Sequence, residues 1–242
     1  MLVEDFPPKE ICQKIAAEIN LSKTAFVKEL GPDHFHIRWF TPKTEVQLCG
    51  HATLASAHIL HEQHKVLGGE LLFESLIGPL KVYGKKGSRT LDFPLHETFS
   101  IEPFENGSSF FEKVVGYAQG VVELIVELES EKEVRKFIPC FEKLLVLNYR
   151  AVILTARACG PYDFVSRFFA PRVGINEDPV TGSAHCKLAH YWQGKLNKNS
   201  FKAYQAFYRG KEMALEIHGK RVYIGGEAVT LLEGDWKASL NE

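Results

Sequence analysis

The sequence predicts an α+β fold of two pseudo-symmetric halves, each a curled, barrel-like β-sheet around one central helix. Three observations lead there. Strand-like and helix-like segments are mixed with no regular βαβ rhythm. One stretch of the first half recurs in the second. The helix that follows each copy is apolar almost all the way round.

The elements can be justified in order. Ile11, Ile15 and Ile19 recur at helical spacing, with Pro8 near the first turn, which predicts a helix over 8–19. In "HFHIRWF", Phe35, Ile37 and Trp39 alternate with polar neighbours, as in a half-buried strand. "LLFESL", "LKVYGK" and "RTLDFP" follow as short strands, the last two joined by a turn over 84–88. Helices are expected at 109–117 and 130–145, with strands at 121–128 and over "YRAVILTA". The tail, 201–232, reads as several strands with glycine turns.

The repeat is specific. "RWFTPK" (38–43) resembles "RFFAPR" (167–172), and "EVQLCGHATLASAH" (45–58) lies over "EDPVTGSAHCKLAH" (177–190) without a gap. Glu45, Gly50, Ala52, Ala57 and His58 match Glu177, Gly182, Ala184, Ala189 and His190, more identities than the one or so expected by chance. Ala52, Leu54, Ala55, Ala57, Ile59 and Leu60 surround the first helix. Ala184, Cys186, Leu188, Ala189, Tyr191 and Trp192 surround the second, with Lys187 the main exception. A helix of this kind belongs inside a shell of strands. The expected halves are 1–97 and 98–225, with 226–242 returning to the first as a strand.

Composition excludes several functions. Lys plus Arg number 29 against 30 Asp plus Glu, so nothing points to a nucleic-acid partner. No apolar run approaches a membrane span, and "MLVEDFPPKE" resembles neither a signal nor a transit peptide. Five cysteines with no CxxC pair favour reduced thiols, and a cytoplasmic location is expected.

"EDPVTGSAHC" (177–186) admits three chemistries. A serine nucleophile is disfavoured, because Ser183 lacks the G-x-S-x-G elbow and His185, two residues on, points to another side of a helix. Ser183 as a helix cap is the simpler role. A metal site is disfavoured too: His58, His61 and His64 put at most two rings on one face, and His185 and His190 are poorly spaced. An anion cradle fits best, since a glycine-headed buried helix offers N–H groups and partial positive charge. Gly50 and Gly182 head the two helices, and His51 and Ser183 hold equivalent first-turn positions. Asp178 is placed to act as acid, base or orienter; as a bland alternative, Glu177 and Asp178 cap a turn.

"AAEINLSKTAFV", "RWFTPKTEVQLCGHATLASA", "LDFP", "YDFVSRFFAP", "EDPVTGSAHC", "AYQAFYRG" and "GGEAVTLLEG" resemble, in order and over nearly the whole chain, the phenazine biosynthesis-like (PhzF-like) isomerases, relatives of diaminopimelate epimerase. The resemblance implies a diaminopimelate epimerase-like fold with the active site between its halves, and biosynthetic proton transfer on a small carboxylate without cofactor or metal. It places Gly50 and His51 on the family's first site, and Asp178, Gly182 and Ser183 on its second.

Three departures qualify it. The related racemases use two cysteine bases; Cys49 holds the first place but Thr181 the second, which argues against a two-thiol mechanism. The family's catalytic glutamate follows the serine of N-L-S-E, whereas here the stretch ends in Lys23. An ordinary lysine is protonated and cannot accept a proton, so altered or lost chemistry is expected, with Lys23 as charge clamp. The family's opening strand, with D-A-F and G-N-P, has no counterpart; either the start is late or a sheet edge is exposed that a second copy could cover as a homodimer. The expected function is isomerase or epimerase. The alternative is a catalytically silent ligand-binding or protein-interaction member of the same fold.

Overall fold

The computed structural model describes residues 1–63, 66, 68–84, 89–104, 107–208 and 210–236. The chain divides into two units, Met1–Asp92 with Gly225–Glu242, and Phe93–Ile224.

The first unit runs β1 (Leu2–Val3), α1 (Lys9–Ile19), β2 (Thr24–Gly31), β3 (His34–Phe40), β4 (Glu45–Val46), α2 (Gly50–Glu62), β5 (Glu70–Glu74), β6 (Leu80–Gly84) and β7 (Arg89–Pro94), whose last two residues belong to the second unit. Its sheet order is β1-β2-β3-β5-β6-β7, with β4 on β3. β1/β2 and β3/β5 are parallel, and β2/β3, β3/β4, β5/β6 and β6/β7 antiparallel. α2 buries Ala52, Thr53, Leu54, Ala57, His58 and Leu60, which is the signature of a helix wrapped by strands.

The second unit runs β8 (Phe99–Ile101), α3 (Gly107–Phe110), β9 (Val114–Gln119), β10 (Glu123–Leu128), α4 (Glu131–Lys136), α5 (Phe141–Val146), β11 (Ala151–Arg157), β12 (Phe164–Ala170), β13 (Ile175–Asp178), α6 (Gly182–Leu196), β14 (Ser200–Gln205), β15 (Lys211–His218) and β16 (Arg221–Gly226), whose last two residues belong to the first unit. Its order is β16-β15-β14-β12-β11-β10-β9-β8, with β13 on β12. The pairing sense repeats the first unit: β10/β11 and β12/β14 are parallel, β11/β12, β12/β13 and β14/β15 antiparallel. β8 and β9 extend this sheet, and a 3-10 turn, Pro171–Val173, lengthens the step from β12 to β13. α6 is buried along most of its circumference, Trp192 and Leu188 included. The predicted α+β class, with a curled sheet about a helix, is the fold observed.

Three expected elements differ. Of the helix expected at 109–117, only α3 is helical, ending at Phe110; residues 114–119 form β9, whose Tyr117 and Ala118 pair with Val126 and Ile125 of β10. Ladder pairing of β-branched and aromatic side chains outweighs local helical spacing there. The helix expected at 130–145 is split into α4 and α5 around Pro139, which lacks an N–H and turns Ile138 out of helical backbone. In the tail, strands end at Gly226, and 227–236 form none. That segment leaves Leu231 and Leu232 exposed and contacts α2 through Thr230 Oγ1 and His58 Nε2, 3.1 Å apart. Residues 85–88 of the expected turn, and 237–242, lie outside the described residues.

Candidate active site

The repeated arginine and glutamate explain how each unit presents its helix. In the first, Arg38 on β3 donates Nε to Glu45 Oε1 at 2.8 Å and Nη2 to Oε2 at 3.1 Å, folding β4 back on its strand. In the second, Arg167 on β12 donates Nε to Glu177 Oε1 at 2.7 Å and Nη2 to Oε2 at 3.0 Å, folding back β13. Both are bidentate, planar pairs, the strong form of this contact. Arg38 holds the Glu45 carboxyl below the usual carboxylate range, chiefly through these hydrogen bonds. Glu177 therefore fastens a strand rather than capping a turn.

Each fold-back ends in a buried glycine heading a helix: Gly50 after Cys49, Gly182 after Thr181. Cys49 and Thr181 are the N-cap residues, both extended, and neither side chain caps its helix. Helical geometry leaves the first-turn N–H groups without intrahelical partners. The carbonyl of each cap residue is instead gripped by the side chain four positions on. Thr53 Oγ1 donates to Cys49 O at 2.6 Å, and His185 Nδ1 to Thr181 O at 2.8 Å.

In the first unit His51 is the second residue of α2 and half-buried. Ser22 Oγ lies 3.5 Å from its Nε2, so the "NLSK" segment reaches the head of α2 through Ser22. Lys23 itself, half-buried between α1 and β2, makes no hydrogen bond or ion pair among the described residues. Cys49 Sγ is 3.8 Å from Nδ1 and 3.7 Å from Nε2 of His51. Being almost equidistant from both nitrogens, the sulfur receives a linear bond from neither.

The second unit carries a denser polar network. Asp178, the last residue of β13, is 3% exposed. Its Oδ2 accepts from Thr181 Oγ1 at 2.6 Å, while Oδ1 is buried with no hydrogen-bond partner among the described residues. Gln205, at the end of β14 and fully buried, accepts from Thr181 N at 2.8 Å and donates to Asp178 O at 2.6 Å. His185 is completely buried, which lowers its pKa to about 4. Neutral, with Nδ1–H given to Thr181 O, it presents Nε2 to Ser166 Oγ at 3.3 Å. Ser183, half-buried, is the second residue of α6 and not its cap.

The sequence thus located Gly50, His51, Asp178, Gly182 and Ser183 at two equivalent helix heads, each within its own unit. It missed Thr181, Gln205, His185 and Ser166 as one network. A signal existed for Gln205: in "SFKAYQ" strand alternation sets it on the face of Phe201 and Ala203, where a carboxamide must find partners. His58 and His190 tie their helices to Thr230 and Thr98, the latter through Thr98 N to His190 Nδ1 at 3.2 Å. His64 lies outside the described residues, and among those described no three His, Cys, Asp or Glu side chains cluster as metal ligands. Burial pushes the Cys186 thiol up to about 12, which disfavours the reactive thiolate. No helix is long and apolar enough to cross a membrane.

Comparison with known proteins supplies the family. The phenazine biosynthesis-like protein model matches residues 4–234. An uncharacterized isomerase of Pseudomonas aeruginosa is 47% identical, the match covering 93% of this chain and 86% of that one. The crystal structure of a PhzF-family phenazine biosynthesis protein from Enterococcus faecalis superposes with TM-score 0.87 at 40% identity, covering 93% of this chain and 86% of the other. At 14% identity and TM-score 0.57, over 86% of this chain and 73% of the other, the fold alone extends to a hydroxyproline epimerase from Agrobacterium vitis with bound trans-4-hydroxy-L-proline. The chain belongs to the phenazine biosynthesis-like, PhzF, family of isomerase- and epimerase-fold proteins.

Proposed function

We propose that this protein is a cofactor-independent isomerase or epimerase that moves a proton on a small carboxylate. One observation carries the reading. Asp178 is held at an uncapped helix head with one carboxylate oxygen buried and unpartnered, poised to exchange a proton with a ligand. In this reading Asp178 and His51 handle protons. Gly50, Gly182 and Ser183 hold the carboxylate and the negative charge that builds on it as the adjacent carbon loses its proton. Lys23 replaces the family's glutamate and acts as a charge clamp, not a base. The bound ligand of the hydroxyproline epimerase supports the substrate class through fold alone.

The test is deuterium incorporation from heavy water into candidate carboxylates, followed by NMR. Exchange in the intact protein supports the isomerase; binding without exchange leaves the silent-binder reading, which Lys23 favours. Lys23→Glu is expected to raise isomerisation of a dihydro-hydroxyanthranilate by ~10²-fold or more, the usual worth of a positioned base. No gain in a folded variant removes Lys23 as the reason for altered chemistry.

A further inference from the structure

We propose that Gln205, acting through Thr181, is the positioning device that aims Asp178, a role resting on the isomerase reading above. The donors and acceptors leave one arrangement. Thr181 N–H can only donate, so the Gln205 atom 2.8 Å away must be the carbonyl Oε1. The Asp178 carbonyl can only accept, so the Gln205 atom 2.6 Å from it must be Nε2. The carboxamide orientation is thereby fixed. Nε2 also reaches Thr181 Oγ1 at 3.3 Å, which occupies that hydroxyl as an acceptor and turns its proton toward Asp178 Oδ2 at 2.6 Å.

Donors therefore run one way, from amide to hydroxyl to carboxylate. Oδ2 is committed, and Oδ1 is left as the oxygen without a partner. A threonine at an N-cap ordinarily turns its oxygen to the N–H groups of the first turn. Here it serves Asp178 instead, leaving the head of α6 uncapped and the carboxylate oriented by the same side chain. The framework beneath is rigid: Gln205 lies in register with Ser166 of β12, and Phe168, two residues on, pairs with Asp178. Gln205 is fully buried, so its amide has no solvent competitor for these bonds.

The decisive pair is Thr181→Val, which keeps shape and removes the hydroxyl, and Thr181→Ser, which restores it; Gln205→Met removes the carboxamide at similar volume. With the full chain and a carboxylate that exchanges in heavy water, Thr181→Val and Gln205→Met are expected to lower kcat by ~10–100-fold with KM within ~2-fold, and Thr181→Ser to stay within ~3-fold of the parent. Equal loss in Thr181→Ser and Thr181→Val overturns the proposal and leaves these residues as scaffold. If the parent exchanges no proton, the isomerase reading fails, and the proposal is decided by carbon-13 NMR of the Asp178 carboxyl without ligand. At neutral pH the carboxyl chemical shift must change in Thr181→Val and not in Thr181→Ser, because only the valine removes the hydrogen bond; no change overturns it. Thr181→Val is close to isosteric, so the test survives a Gln205→Met variant that does not fold.

Discussion

The heads of α2 and α6 are built by one recipe and equipped for different work. Both follow an arginine-clamped fold-back, both begin at a buried glycine, and both have the cap carbonyl held from four residues on. At α2 the head carries a cysteine, a half-buried histidine and a serine at 3.5 Å from that histidine. At α6 they form a closed network of Asp178, Thr181, Gln205, His185 and Ser166, with a single carboxylate oxygen unanswered. Duplication thus preserved what positions a helix end and let the side chains at that end diverge. The proposed proton transfer falls where buried polar groups are most completely fixed, because there one unpaired atom carries direction.

The sharpest way to test this asymmetry is to remove the acidic function from one head and the histidine from the other. Asp178→Asn preserves shape and is expected to lower proton exchange by ~10²–10⁴-fold while leaving thermal unfolding within a few degrees. His51→Gln is expected to cost less, ~10-fold or so, since its contacts with Ser22 and Cys49 are long, at 3.5–3.8 Å. The two variants assayed side by side by NMR exchange decide it: a larger loss at His51 would reverse the assignment of the heads.

Next in size is the difference between the clamps. Arg167 grips Glu177 and also donates Nη1 to the carbonyls of Val134 at 3.2 Å and Phe137 at 2.6 Å, tying β12, β13 and α4 together. Arg38 has Glu45, with its guanidinium over the rings of Phe6 and Phe40. Arg167→Met should therefore destabilise by about 3 kcal/mol and Arg38→Met by about 2 kcal/mol, both partly screened by their residual exposure. Denaturant unfolding measures both. The Glu45 carboxyl, held below its ordinary range, stabilises fully above that range and loses this as pH falls through the depressed value. Arg38→Met should accordingly flatten the acid side of the stability curve.

These contrasts also show what the sequence could reveal. The repeat announced the duplicated fold because Arg38, Glu45 and Gly50 recur at fixed offsets, and each identity now has a structural reason. All-round apolar helices announced burial. The helix expected at 109–117 failed because pairing with β10 is non-local, and local spacing carries no record of a partner strand. The pairing of Gln205 with Thr181 was invisible for a similar reason. They lie 24 positions apart and meet only because β14 runs parallel to β12, so neither segment names the other as its partner. Lys23 is the opposite case: its departure from N-L-S-E is plain in the sequence, and its side chain has no partner among the described residues that would have explained it.

The smallest expected effect separates the two carbonyl grips. Thr53 holds Cys49 O with a hydroxyl that does not titrate, whereas His185 holds Thr181 O with an imidazole whose burial lowers its pKa from 6.5 to about 4. The unfolded chain binds this proton near pH 6.5 and the folded chain only near 4, so the contribution is complete above 6.5 and drains away as pH falls toward 4. By pH 5 the loss amounts to about 2 kcal/mol. Hydrogen exchange read helix by helix at pH 7.5 and pH 5, corrected for intrinsic rates, should show amides of α6 losing protection while those of α2 change little. Equal loss in both helices would mean that acid acts on the whole chain through its carboxylates, and that the imidazole grip of the second unit is no weaker than the hydroxyl grip of the first.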